Sequence, residues 1–155
     1  MKKTALLIAT GLVASASAFA EPMEHKMTAP QDVKWGPGPA SLPAGAEAAV
    51  LYGDPTKEGL FALRLKLPKG YRIAPHTHPK PEIVTVISGT FKIGVGDKAD
   101  DAKATAMPAG SFISLSPGTA HFAGVDEEAV VQLNSTGPWA VNYVNPKDDP
   151  RQKPK

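Results

Sequence analysis

The chain has 155 residues, with 17 Lys and Arg against 15 Asp and Glu, and it contains no cysteine. The absence of Cys excludes a disulfide scaffold, a thiol nucleophile and any metal site that relies on thiolate ligands. A formal charge of +2 without a cluster of basic residues argues against nucleic-acid binding, and the length suits one domain with short tails.

The N-terminal segment, residues 1–20, has the pattern of a secretory signal peptide. Lys2 and Lys3 form a basic start, an apolar run follows over residues 5–13, and Ala18-Phe19-Ala20 fits the small-x-small cleavage pattern. We therefore expect cleavage after Ala20 and a periplasmic or secreted protein. The alternative is an N-terminal membrane anchor, but the apolar run is short beside the about 20 residues that a span requires.

Removal of this leader takes Lys2 and Lys3 with it, so 15 basic residues remain against 15 acidic ones and the mature chain is formally neutral. Neither end of the mature chain has an apolar period, which predicts flexible tails at residues 21–32 and 147–155 around a domain at 33–146. The first tail carries soft potential ligands at alternate positions, so a copper site competes there with plain disorder: Met23, His25 and Met27.

Apolar residues within the domain alternate with a period of two, which is typical of half-buried strands. Residues 82–87 and 91–95 flank Ser88-Gly89-Thr90 and predict a hairpin. Turn residues are frequent, with 14 Gly and 16 Pro in the chain, and no stretch has a sustained helical period. The sequence therefore predicts an all-β sandwich or small barrel, with further strands at 50–52, 61–67, 111–115, 120–125, 129–133 and 139–144.

Three of the four histidines lie in two turn-rich segments of the domain. His76 and His78 are two residues apart, so in an extended chain both imidazoles point to one face. Glu82 lies a further even step along, beyond prolines that keep the chain extended. His121 follows the turn Ser116-Pro117-Gly118. Three imidazoles and one carboxylate from neighbouring strands would suit Fe, Mn, Co, Ni, Cu or Zn better than Ca or Mg.

These two segments resemble the two conserved motifs of the cupin superfamily. The first, G-x5-H-x-H-x3-E-x6-G, is matched at every fixed position by Gly70, His76, His78, Glu82 and Gly89. The second, G-x5-P-x-G-x2-H-x3-N, is matched at three positions and departs at two: Gly110, Gly118 and His121 fit, whereas Ser116 replaces the proline and Val125 replaces the asparagine. The asparagine is not a cupin metal ligand, so its loss concerns strand-end packing.

The resemblance covers about residues 48–144 and implies a single-domain jelly-roll β-barrel. It implies a metal held by His76, His78, Glu82 and His121, with the metal identity (Fe, Mn, Zn, Ni or Cu) open. The chain is also similar to small secreted bacterial cupins, some of them grouped with the cupin-like anti-sigma domain. Because sheet edges in such barrels need cover, we also expect a homodimer.

Three functions are consistent with such a site. The first is a metal-dependent dioxygenase acting on a small enol, diketone or flavonol-like molecule, since the metal would bind substrate directly. The second is a non-catalytic metal or small-ligand binding or sensing module. The third is a lyase or isomerase on a small acid or sugar, although no further acid–base group is identifiable from spacing. Fold alone does not choose among them.

The remaining polar and aromatic residues have less specific predictions. Gln132 and Asn134 could face the metal cavity or, as in most such strands, the solvent. Tyr71 and Arg72 could border the pocket mouth, with surface placement as the alternative. The aromatic residues are expected in two places, which are the barrel core for Phe91, Phe112 and Phe122, and the domain ends or a dimer face for Trp35, Trp139 and Tyr143.

Overall fold

Alternating apolar residues build two antiparallel sheets that face each other across the core. The structure is a computed structural model and describes residues 25–152. The predicted signal peptide and Met23 lie outside the described residues. Between residues 25 and 152 the regular structure consists of strands and short 3-10 turns, and no helix there is long and apolar enough to cross a membrane.

The strands agree with the all-β prediction. In chain order they are β1 (Gly36–Pro37), β2 (Glu47–Tyr52), β3 (Gly59–Leu67), β4 (Arg72–Thr77), β5 (Glu82–Ser88), β6 (Thr90–Val95), β7 (Thr105–Pro108), β8 (Phe112–Leu115), β9 (His121–Gly124), β10 (Ala129–Gly137) and β11 (Asn142–Tyr143). The 3-10 turns are Pro30–Asp32, Asp101–Lys103, Pro146–Asp148 and Pro150–Gln152.

The strands form a jelly-roll sandwich. One sheet has the order β1-β2-β3-β10-β5-β8, and the other has the order β11-β4-β9-β6-β7. The pairing of β3 with β10 is the longest register, running from Gly59↔Gly137 to Leu67↔Ala129. Along β3 the predicted alternation is confirmed, because Phe61, Leu63, Leu65 and Leu67 are buried. The apolar sides of both sheets thus enclose one core.

The predicted hairpin between residues 82–87 and 91–95 is wrong. Strand β5 pairs with β8 and β10, whereas β6 pairs with β7 and β9 in the other sheet. The turn at Gly89 therefore carries the chain from one sheet to the other. Gly89 has a φ of +74° and lies so close to Ala129 that a side chain would collide with it. The local sequence resembles a hairpin turn, but the pairing partners are distant in sequence.

The prediction for the three phenylalanines holds for two of them. Phe91 is buried in the core and Phe122 is buried against Gly94 of β6. Phe112 is 62% exposed, and its prediction as core is wrong. The register pairs Phe112 with Thr85, whose side chain is on the outer side of β5, while Ile113 pairs with the buried Val84. The side of a short edge strand that faces the core depends on this register.

The C-terminal segment packs against the domain within its described part, which ends at residue 152. Asp149 is buried, and its carboxylate accepts hydrogen bonds from the Nε and Nη2 of Arg151, each 2.8 Å long. Nη2 of Arg151 also donates to the carbonyl oxygen of Val141 at 2.9 Å. These bonds connect the segment at which the sequence predicts a tail to the chain just before β11.

Candidate metal centre

The four predicted ligands are brought together by strand pairing. His76 in β4 lies opposite His121 in β9, and His78 follows the end of β4. The register of β4 with β9 shifts between Ile73 and His76, and this irregularity turns both of these residues toward the interior, although they are three positions apart. His78 then shares the face of His76 because it lies two residues further on.

Two contacts close the loops around this cluster. Gly118, in the turn before His121, donates its backbone N–H to the carbonyl oxygen of His78 at 2.9 Å. Ser135 in β10 donates its hydroxyl to the carbonyl oxygen of Pro81 at 2.6 Å, which fixes the chain just before Glu82. All four side chains are buried, with exposures of 3% for His76, 5% for His78, 8% for Glu82 and 2% for His121.

The three imidazole rings are oriented by backbone carbonyl groups. The Nδ1 of His76 lies 2.8 Å from the oxygen of Ala74, that of His78 lies 2.7 Å from Ala140, and that of His121 lies 3.0 Å from Thr119. Because a carbonyl oxygen only accepts, each Nδ1 is the protonated donor. The opposite nitrogen, Nε2, then carries a free lone pair in the neutral ring. One ligand atom from each ring lies within 4.8 Å of those from the others.

Glu82 borders two of these imidazoles. Its Oε1 lies 3.5 Å from the Nε2 of His78, and its Oε2 lies 3.0 Å from the Nε2 of His121. Neither the Nε2 of His78 nor the Oε2 of Glu82 has a hydrogen-bond partner, because the short approach to His121 lacks hydrogen-bond geometry. Buried polar atoms without partners are costly. A divalent cation between these lone pairs would satisfy both atoms, so this donor set fits a metal ion.

The pKa values of the cluster follow from burial and mutual charge. Burial lowers the pKa of His76 to about 4, helped by neighbouring His121, and burial also lowers the pKa of His78 despite the attraction of Glu82. Burial would raise the pKa of Glu82, but the contacts with His121 and His78 outweigh it and lower that pKa. Burial opposes protonation of His121, yet Glu82 raises its pKa. The neutral state of His76 and His78 is the one that binds metals.

The four side chains form one end of a cavity of about 400 Å³. Its walls are apolar side chains from both sheets, including Leu63, Leu65, Ile73, Val84, Val131 and Leu133. The lining residues that are exposed belong to the early part of the described chain, namely Pro37, Pro39, Val50 and Thr56, and they mark the mouth. The cluster therefore faces an enclosed space of small-molecule size.

Other polar residues named from the sequence lie outside this cavity. Gln132 accepts a hydrogen bond from the Nε of Arg64 at 3.1 Å and donates to Asn134, on the side of β10 opposite to the cavity-lining Val131 and Leu133. Arg72 forms an ion pair with Asp126 at 2.8 Å on the surface. The hydroxyl of Tyr71 donates to the carbonyl oxygen of Pro43.

Two further groups have their own surroundings. Trp35 lies on the six-stranded sheet with the Nζ of Lys66 4.6 Å from its ring centre. In the N-terminal segment His25 and Met27 are exposed, and Met23 is outside the described residues.

Trp139 is the site residue that sequence reasoning missed. Its indole ring is stacked on the imidazole of His78, with centroids 4.0 Å apart and planes at 20°, and it lines the cavity. The edge of Phe61 supports it, with centroids 5.7 Å apart. Tyr143, predicted with it at a domain end, lies beside His76 at 5.8 Å between ring centres. The sequence signal was only the position of Trp139 just before the strand that pairs with β4.

Comparisons with known proteins agree with the fold. The family described as "Domain of unknown function (DUF4437)" matches residues 26–142. No curated protein matches the chain.

Three solved structures illustrate the likeness. The polyketide cyclase RemF from Streptomyces resistomycificus is 17% identical, with a TM-score of 0.64 over 84% of this chain and 95% of that one. A "putative acetylacetone dioxygenase" from Methylibium petroleiphilum PM1 is 20% identical, with a TM-score of 0.63 over 85% and 89%. A cupin 2 conserved barrel domain protein from Rhodopseudomonas palustris is 15% identical, with a TM-score of 0.58 over 79% and 87%. At these identities the likeness establishes the cupin fold.

Proposed function

This chain belongs to the DUF4437 family and has a cupin barrel, and from that premise we propose that it is a metal-dependent enzyme of dioxygenase type acting on a small molecule. His76, His78 and His121 would hold a divalent transition metal together with Glu82. The observation that carries the proposal is the set of three imidazoles with each Nδ1 on a backbone carbonyl and one ligand atom from each ring within 4.8 Å of the others, beside the carboxylate of Glu82.

A nitrogen-rich set with one carboxylate suits Fe, Mn, Ni, Cu or Zn, among which the ligands alone do not choose. When bound, such a metal supplies a Lewis acid for a substrate oxygen and, if redox-active, the electrons needed for oxygen chemistry. The protein's own contribution is orientation and exclusion of water. Carbonyl groups of Ala74, Ala140 and Thr119 fix the ring planes, and the apolar walls keep the surrounding space dry.

The dioxygenase class is favoured by what the cavity lacks. Within the described part of the chain, Asp54 near the mouth is the only ionisable residue that lines the cavity besides the four predicted ligands. Chemistry that needs a positioned proton donor, such as isomerisation, has little support in such a lining. The similarity to the "putative acetylacetone dioxygenase" of Methylibium petroleiphilum PM1 adds support at the level of fold.

A non-catalytic metal or small-ligand binding module is the second candidate. The same shortage of acid–base groups favours it, because a binding protein needs none. The two candidates differ in their coordination chemistry. A binding module would hold zinc in a closed coordination sphere, whereas an enzyme would keep an exchangeable position for substrate.

The test starts from full-length protein expressed with its own leader, purified after export and analysed for metals by mass spectrometry. Metal-free protein is then reconstituted separately with Fe²⁺, Mn²⁺, Ni²⁺, Cu²⁺ and Zn²⁺, and oxygen uptake is measured with a panel of enols, β-diketones and flavonols. We expect uptake with a redox metal, loss of uptake in His121→Ala, and retention in His25→Ala. Tight zinc binding without oxygen uptake under any metal would support the binding module instead.

We also propose that the mature protein acts in the periplasm, beginning at Glu21. The support is the basic start, apolar run and Ala18-Phe19-Ala20 pattern of the leader. Cell fractionation followed by N-terminal sequencing tests this directly. A cytoplasmic protein that retains residues 1–20 would contradict it.

A homodimer is the third part of the proposal, with the outer face of the six-stranded sheet as its contact with a second copy. Tyr52, Leu60, Ile87 and Phe112 are large apolar side chains exposed on that face, and a cavity of about 350 Å³ lies beside Tyr52 and Leu60. Apolar patches of this kind are typical of protein contacts. Light scattering should give twice the monomer mass for the wild type, and Leu60→Lys should give a monomer. A monomeric wild type would refute the dimer.

A further inference from the structure

The walls of the cavity beside the histidine cluster are mostly hydrocarbon, and the only polar side chains that line it outside the cluster, among residues 25–152, are those of Ser41, Asp54, Thr56 and Trp139. Between the histidine cluster and the mouth, the lining consists of side chains such as Leu63, Leu65, Val84, Phe91, Ile93 and Leu133. Because strands alternate, the polar residues of the same strands, for example Arg64 on β3 and Gln132 on β10, are on the outer side and bond to each other there. A ligand within the walls therefore meets hydrocarbon on most of its surface.

The charge of the lining is one-sided. Among residues 25–152, no Lys or Arg lines the cavity, and its acidic residues are Glu82 at the inner end and Asp54 near the mouth. The basic residues of the inner strands are paired elsewhere, Lys66 with Glu47 at 3.1 Å and Lys92 with Asp126. Outside the histidine cluster, an anionic ligand thus has no protein cation to meet inside the cavity, and a metal would add its positive charge only at that inner end.

The mouth of the cavity is likewise lined by no Lys or Arg among residues 25–152. Three of its four exposed lining residues, Pro37, Pro39 and Val50, are apolar, Val50 is 48% exposed, and the fourth is Thr56. Asp54 accepts hydrogen bonds from both the backbone N–H and the hydroxyl of Thr56, at 2.9 and 2.7 Å, and these bonds lower its pKa. The only charged residue that lines the mouth is therefore an acid, and the Nζ of Lys57, which does not line the cavity, forms an ion pair with it at 3.4 Å, so the lining itself offers no cation to a carboxylate or phosphate.

From this lining we propose that the ligand of the site is an uncharged, largely hydrocarbon molecule that carries its oxygen function at the end directed to the histidine cluster. The position of the oxygen rests on the proposed metal site, whereas the hydrocarbon character rests on the walls alone. Sugars, sugar acids and dicarboxylates do not match this lining, because most of their hydroxyl or carboxylate groups would be buried against hydrocarbon without a hydrogen-bond partner.

Calorimetric titration with two probes that share a ring system and differ in charge tests the proposed class of ligand. The compounds 2-naphthol and 2-naphthoate share one ring system, and at pH 7 the first is neutral and the second is anionic. Each is titrated into the protein purified after export, in metal-free and in Zn²⁺-loaded form. We expect metal-free protein to bind 2-naphthol at least about tenfold more tightly than 2-naphthoate, since one unpaired charge in these walls costs more than the 1.4 kcal/mol that tenfold represents.

Variants at the mouth locate the binding. Val50→Trp places a large ring at an exposed position of the mouth and should weaken 2-naphthol binding by about tenfold. The matched control is Val95→Trp, because Val95 is 70% exposed and is not among the lining residues. If Val50→Trp unfolds, as monitored by circular dichroism, Ala48→Phe on the same strand repeats the test, because Ala48 also lines the cavity.

Equal or tighter binding of 2-naphthoate to metal-free protein would overturn the inference, as would unchanged 2-naphthol affinity in a folded Val50→Trp or Ala48→Phe variant. The comparison of metal-free with Zn²⁺-loaded protein separates failure of the proposed ligand class from failure of the proposed metal site. Protein that prefers 2-naphthol but does not take up Zn²⁺ would sustain the ligand class and refute the metal site. Protein that takes up Zn²⁺ without preferring 2-naphthol would support the metal site and refute the ligand class.

Discussion

The indole of Trp139 is stacked on the imidazole of His78, with ring centroids 4.0 Å apart and planes at 20°. The backbone N–H of Trp139 donates to the carbonyl oxygen of Pro55 at 2.7 Å, and the carbonyl oxygen of the next residue, Ala140, bonds to the Nδ1 of His78. One short segment therefore holds the ring of His78 by its face and by its edge. This arrangement pre-orients the Nε2 of His78 toward the other two imidazoles.

Replacing Trp139 by Ala should weaken binding of Zn²⁺ without abolishing it. Aromatic pairs contribute about 1 kcal/mol beyond their buried area, so the loss corresponds to about fivefold in the dissociation constant. Competition with a chromophoric chelator measures this constant. Trp35→Ala is the matched control, because Trp35 contacts Lys66 on the six-stranded sheet and should leave zinc affinity unchanged. Equal losses in the two variants would contradict a role for the stack.

His76, His78 and Glu82 could be grouped from sequence because their relation is local, whereas His121 was assigned to the same cluster through the resemblance to the second cupin motif. His76 and His78 are two positions apart in an extended chain, and the turn before His121 is recognisable from Ser116, Pro117 and Gly118. Trp139 could not be found in this way. Its contact with His78 depends on the pairing of β11 with β4, which joins Asn142 to Thr77, and no local periodicity specifies which distant strands become neighbours.

The two errors in the fold have the same origin. The turn at Gly89 is a sheet-to-sheet connection because β5 and β6 each find partners remote in sequence, in β10 and β9 respectively. Phe112 is exposed because its pairing with Thr85 decides the side of the sheet on which it lies. Hydrophobicity and turn chemistry thus predicted most of the strands, although not β1, β4 or β7. Long-range register decided which strands pair and which side faces the core.

The double variant His76→Ala/His78→Ala should lose stoichiometric metal. It removes two of the three imidazoles whose ligand atoms lie within 4.8 Å of one another, leaving a set too small for a stable divalent site. Metal analysis after dialysis against Zn²⁺ measures the loss. His25→Ala controls for nonspecific histidine binding, because His25 lies outside the barrel and is exposed. Retention of one zinc per chain in the folded double variant would refute the ligand assignment.

Gly94→Ala should destabilise the protein by about 1–3 kcal/mol, the usual cost of overpacking a core. A Cβ at position 94 would overlap the ring of Phe122, which is buried and directly follows His121. Chemical denaturation measures the free energy of unfolding. Gly36→Ala is the matched control, since no atom lies within 4 Å of a Cβ placed there and its φ is not positive. Adding Phe122→Leu should restore part of the lost stability, and an additive double variant would contradict the proposed overlap.

Asp149→Asn should lower the melting temperature at neutral pH, and the difference from wild type should disappear in acid. Hydrogen bonds from Arg151 lower the pKa of Asp149 below its ordinary value of 3.8. The carboxylate therefore contributes stability above pH 3.8, and this contribution is lost as the pH falls through the lowered folded-state pKa. The Asn variant lacks the charge at every pH, so the two melting curves should converge only below pH 3.8. An Arg151→Gln background supplies the control, because Asp149→Asn should have little effect there. A difference that stays constant down to the acid limit, or one that survives in Arg151→Gln, would show that the pair does not fasten the C-terminal segment to Val141.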